Sequence, residues 1–108
     1  MENELNEVAM HIIIHAGDAR NKAHEALRFI KEYDFETAYK IMENAEELIV
    51  EAHKSQTNVI QEFAGGKEVA FNLLFIHAQD TLMTIKSEIS MFTELIKMVE
   101  QLHKEINK

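Results

Sequence analysis

Residues 71–106 read FNLLFIHAQDTLMTIKSEISMFTELIKMVEQLHKEI. Apolar side chains recur along this stretch at Phe71, Phe75, Ala78, Leu82, Ile85, Ile89, Phe92, Ile96, Val99 and Ile106, with His103 in the remaining place. The steps alternate between four and three, which is the period of a helix and not of a strand. One helix of that length would extend roughly 54 Å. Working back along the chain, Phe35, Ala38, Met42, Ala45, Ile49, Ala52, Gln56, Val59 and Phe63 keep the same alternation without a break. That is a second heptad seam, and its alanines allow a neighbouring helix to pack closely.

Local signals bound these helices. Asp34 is an N-cap candidate, with Thr37 where a full capping box would have Glu or Gln. Gly65-Gly66 ends the second helix, and Asn72 is a candidate cap for the third, which begins between Val69 and Leu73. The first helix carries the row Leu5, Val8, Ile12, His15, Ala19, Ala23, Ala26, Ile30. The expected fold is all-α: one domain over 1–108, an antiparallel three-helix bundle with helices at about 4–31, 34–64 and 70–106. Two features of the first helix stand out. Ile12-Ile13-Ile14 implies burial on more than one side. Gly17 costs about 1 kcal/mol against alanine in mid-helix, which points to close approach of another backbone or a ligand.

Composition narrows the function classes. The 108 residues are 46 % hydrophobic, with no proline and three glycines, a globular composition suited to long helices. A formal charge of −8 argues against nucleic acid or an anionic membrane as partner. Without cysteine there is no disulfide, thiolate metal site or cysteine nucleophile. The acidic start is unlike a secretory signal, and no apolar run approaches the roughly 20 residues of a membrane span, so a cytoplasmic protein is expected. No glycine-rich phosphate loop occurs, which argues against direct use of ATP.

The third helix has a second apolar row: Leu73, Ile76, Asp80, Met83, then Met91, Leu95, Met98, Leu102. Two apolar rows exceed what one bundle needs, so the second row predicts self-association. Asp80 interrupts it. Copies of Asp80 brought together by ring symmetry would repel, and either protonation or a bridging hard cation such as Mg2+ relieves that. His77 lies one turn before Asp80 on the same side of the helix. Histidine is the side chain whose charge changes near neutral pH and which is a nucleophile when neutral.

The blocks HAQDTLMT (77–84), IIHAGDAR (13–20) and EAHKSQT (51–57), with the Gly65-Gly66 break, resemble the lactose/cellobiose-type IIA component of the bacterial phosphotransferase system. The resemblance runs from about residue 5 to about residue 105. It implies a homotrimer of three-helix protomers. It also implies that His77 accepts a phosphoryl group on Nε2 from HPr and passes it to a cysteine of the cognate IIB. The cargo system would take up a β-linked disaccharide such as lactose, cellobiose or chitobiose. Asp80 would share one Mg2+ with its two symmetry copies. The chain departs from the family at Thr81, where a second histidine is usual. Arg20 and the Gly17 region would line the same cleft from a neighbouring subunit.

Other histidines are read as structural: His11, His24 and His103 as surface or core residues, His15 and His53 as packing or hydrogen-bonding ones. Glu100-Gln-Leu-His103 is the chain's one Glu-x-x-His motif, where a di-iron bundle needs two. Met83, Met91 and Met98 read as filler. The alternative reading is a helical scaffold without enzymatic function, in which the His77–Asp80 pair is structural.

Overall fold

The chain forms three helices, α1 (Glu2–Ile30), α2 (Phe35–Ala64) and α3 (Leu73–Ile106), in a rod of 60 × 20 × 18 Å. The structure is a computed structural model that describes residues 2–66 and 72–108, with the side chains of all of these but 2, 3 and 63. The side chain at the expected row position Phe63, the row position Phe71 and the expected helix start at 70 fall outside what the structure describes.

Cross-helix contacts fix the topology. Asn6 meets Asn72, Arg20 meets Glu88, His24 meets Phe92 and Tyr33 meets His103. Sequence numbers rise together in these pairs, so α1 and α3 run parallel. Tyr39, at the start of α2, bonds Glu100 near the end of α3, so α2 runs against both. This is the antiparallel up-down-up bundle that the heptad seams predict.

Local chemistry sets the element ends. The Asp34 carboxylate accepts from the Thr37 backbone N–H at 3.2 Å and caps α2. Asn72 has extended backbone angles (φ −142°, ψ 108°), and its side chain accepts from the Phe75 N–H at 2.8 Å. Described α3 therefore begins at Leu73, directly after this cap. Gly66 adopts φ 94° beyond the end of α2, a left-handed conformation that glycine takes without steric cost. The α1 end has no glycine. Tyr33 takes φ 60° there, while Asp34 N–H donates to Phe29 O and Tyr33 N–H donates to Ile30 O. That hydrogen-bond pair is a Schellman closure. Stacking of the Tyr33 ring on His103, centroids 4.3 Å apart, offsets the strain of a left-handed tyrosine.

The core is uneven by design of the sequence. From α1 it takes Leu5, Ala9, Ile12, Ala16, Ala19, Ala23, Ala26 and Ile30; from α2 it takes Ala38, Ile41, Met42, Ala45, Ile49, Ala52 and Val59. Phe75, Leu82, Ile85, Ile89 and Ile96 of α3 fill the space that the alanines leave. The α1 seam corrects the sequence expectation at two places. Ala9 and Ala16 are fully buried, whereas Val8 and His15 lie at the edge of the core. Small residues win the central positions because they let α1 and α2 approach.

The isoleucine run is corrected as well. Ile12 is buried and Ile13 half-buried, but Ile14 is 54 % exposed. A Cβ added at Gly17 would meet nothing within 4 Å, so among the described residues no other helix's backbone closes on it.

Candidate functional site

Geometry at the start of α3 decides what His77 can do. The core-facing positions there are Phe75, Ala78 and Leu82, and a helix turns about 100° per residue, which sends His77 and Asp80 outward. Both are exposed. His77 stands one turn inside the capped end, where backbone N–H groups point toward the N-terminus and the helix dipole favours negative charge. The described residues place no hydrogen bond or ion pair on its imidazole.

Asn72 anchors that turn twice. Its carboxamide oxygen caps α3, and its Nδ2 donates to Asn6 Oδ1 of α1 at 2.9 Å. The helix turn bearing His77 is thus tied to a neighbouring helix by a buried-edge amide pair, while the imidazole itself is open to solvent. Thr81 sits one turn further on. Its hydroxyl donates to the His77 backbone carbonyl at 2.8 Å, so it is turned back on the helix.

Asp80 is exposed in the protomer, on the face whose second apolar row predicts self-association. Its row is nonetheless apolar and open: Leu73 is 71 % exposed, Met83 54 % and Met91 68 %, with Ile76, Leu95, Met98 and Leu102 beside them. Among the described residues no three His, Cys, Asp or Glu side chains gather where they could hold a metal ion. One protomer offers Mg2+ a single hard carboxylate here, so the donor set fits that ion only when further copies add theirs.

Within its own protomer Arg20 stands apart from this surface. Its guanidinium grips Glu88 of its own chain, with Nε–Oε2 at 3.0 Å and Nη2–Oε1 at 2.8 Å. Glu88 lies about 16 Å along the axis from His77 at 1.5 Å per residue. The remaining Glu-x-x-His motif is also accounted for: Glu100 accepts the Tyr39 hydroxyl at 2.9 Å, and His103 lies among Tyr33 and Phe35. Burial, followed by the hydrogen bond to Glu100, raises the Tyr39 phenol above its ordinary value. The sequence offered no signal for these cross-helix pairs.

The bundle and its outward histidine define a class: an all-helical protomer with a solvent-facing histidine near a helix N-terminus. Comparison with known proteins narrows that class. The profile of the family described as "PTS system, Lactose/Cellobiose specific IIA subunit" matches residues 7–100. The lactose-specific EIIA component of Staphylococcus epidermidis is 37 % identical over 102 residues, covering 94 % of both chains. The crystal structure of the cellobiose-specific enzyme IIA from Bacillus anthracis superimposes with TM-score 0.84 at 36 % identity, over 91 % of this chain and 90 % of that one. A solution structure of the Escherichia coli IIA(chitobiose)–HPr complex matches with TM-score 0.80 at 38 % identity, over 92 % and 96 %. The chain belongs to the lactose/cellobiose-specific IIA family of the phosphotransferase system, and it is a phosphotransferase component. Among the described residues no helix is long and apolar enough to cross a membrane.

Proposed function

We propose that this chain is a phosphoryl carrier whose acceptor is His77. The single observation that carries the reading is an imidazole exposed one turn inside the Asn72-capped end of α3, in a chain of this family. Neutral His77 attacks the phosphorus of phospho-HPr through Nε2; the new N–P bond forms as the donor histidine's N–P bond breaks. A cysteine thiolate of the cognate IIB then attacks the same phosphorus, and His77 leaves as the neutral imidazole. HPr as donor is supported by the complex of the E. coli relative. Such transfer asks mainly for in-line positioning and charge stabilisation. The helix N-terminus supplies part of the second.

The reading includes a homotrimer assembled through the exposed row on α3, with the three Asp80 carboxylates holding one Mg2+. That ion would neutralise carboxylates that otherwise repel. The chain would serve uptake of a β-linked disaccharide, the class to which lactose, cellobiose and chitobiose in the relatives' names belong.

The test is intact-protein mass after incubation with phosphoenolpyruvate, the general phosphotransferase enzyme and HPr. Wild type is expected to gain one acid-labile phosphoryl adduct and His77→Gln none. An adduct on both would move the site to another histidine, and an adduct on neither would favour the scaffold.

A further inference from the structure

The run His11-Ile-Ile-Ile-His15 places two imidazoles on successive turns of α1, and the function above uses neither. Their ring centroids are 4.0 Å apart with planes inclined by 39°. His15 Nδ1 lies 2.9 Å from the His11 backbone carbonyl oxygen. A carbonyl only accepts, so Nδ1 carries the hydrogen, and a neutral imidazole carries only one. Nε2 of His15 is therefore left with its lone pair. A ring nitrogen donating to a backbone carbonyl is the arrangement that fixes the tautomer and raises the basicity of metal-ligating histidines. Both residues are half-buried.

We propose that His11 and His15 together chelate one late first-row divalent transition ion. Imidazole nitrogens suit Cu2+, Ni2+ and Zn2+, whereas Mg2+ prefers hard oxygen donors, so this site is chemically distinct from Asp80. Two ligands on adjacent turns of one helix are held together by the helix itself, as in zinc-binding helices that present histidines at i and i+4. Since no third ligating side chain joins the pair among the described residues, water completes the coordination. The pair lies on the flank of α1 opposite Asn6, Arg20 and His24, which contact α3. Binding there leaves the exposed row of α3 free.

The experiment is titration of the full-length chain with Cu2+, read by paramagnetic resonance and calorimetry. Wild type is expected to bind one Cu2+ tightly per protomer with two nitrogen ligands. His11→Gln and His15→Gln should each weaken that binding by at least about tenfold, the scale of losing a ligand or its support. His53→Gln, on the exposed surface of α2, should bind as wild type does. Equal affinity in all four proteins, or a loss confined to one of the pair, would overturn chelation. A second measurement needs no histidine variant: Ni2+ should raise the unfolding midpoint of both wild type and Asp80→Asn, because an ion that binds only the folded chain stabilises it. An unchanged midpoint in both would equally overturn the proposal.

Discussion

Two parallel hydrogen bonds join Arg20 of α1 to Glu88 of α3, Nε to Oε2 at 3.0 Å and Nη2 to Oε1 at 2.8 Å. A guanidinium fork of this kind fixes the axial register of two parallel helices as well as attracting them. Both side chains are partly open, at 40 % and 33 % exposure, so solvent screens the pair. A coupling of about 0.5–1 kcal/mol is expected. It should appear in a double-mutant cycle of Arg20→Ala and Glu88→Ala by urea unfolding and shrink in about 1 M salt. Because the pair stands away from His77, Arg20→Lys should still accept phosphoryl from phospho-HPr. A folded Arg20→Lys that accepts none would return Arg20 to the transfer site.

Asn72 makes two bonds of different kinds, and they can be separated. Asn72→Ala loses both the cap on α3 and the donor to Asn6, at an expected cost of about 1–2 kcal/mol. Asn72→Asp keeps an acceptor for the Phe75 N–H and loses only the amide donor, so it should cost less. Urea unfolding of the two variants checks the order. The reverse order would show that the link to α1, and not the cap, secures the turn that bears His77.

These two contacts also mark what can be read from a sequence. The heptad seams of α2 and α3, the Asp34 and Asn72 caps and the Gly65-Gly66 stop are periodic or local, and each appears in the fold. The α1 seam misleads because Val8 and His15 look larger than Ala9 and Ala16, yet close helix approach rewards the smaller side chain. Tyr33 at φ 60° hides the end of α1, since a left-handed turn normally announces itself with glycine or asparagine. The Arg20–Glu88 and Tyr39–Glu100 pairs span 68 and 61 residues, beyond the reach of any local pattern. His77 and Asp80 were legible as residue types in an unusual place. The surroundings of Asp80 were legible only as a second apolar row on α3, which a single bundle leaves open to solvent.

Tyr39 gives the bundle an alkaline weakness. Burial and then the Glu100 hydrogen bond raise its phenol above the ordinary value, so the folded chain holds that proton more tightly than the unfolded one. The stabilisation is complete below about pH 10, the unfolded value, and is lost as pH rises through the higher folded value. Tyr39→Phe should flatten the wild-type loss of stability in that window. Urea unfolding at pH 9 and pH 11 measures the difference between the two proteins. An identical slope in both would place the alkaline loss on other groups.

The exposed row on α3 makes the last prediction. Leu73, Ile76, Met83, Met91, Leu95, Met98 and Leu102 present more apolar surface along one helix than a monomer gains by leaving in water. Leu95→Lys should therefore shift the native mass from trimer toward monomer while leaving the helical content of the protomer intact, because Leu95 contributes nothing to the buried core. Asp80→Asn acts on the same face in the opposite sense, since it removes the charges that a bound cation would otherwise neutralise. A chelator should lower the unfolding midpoint of wild type and leave that of Asp80→Asn unchanged. If the chelator lowers neither, the carboxylates are accommodated without a metal; if Leu95→Lys keeps the native mass of wild type, the row serves some surface other than its own copies.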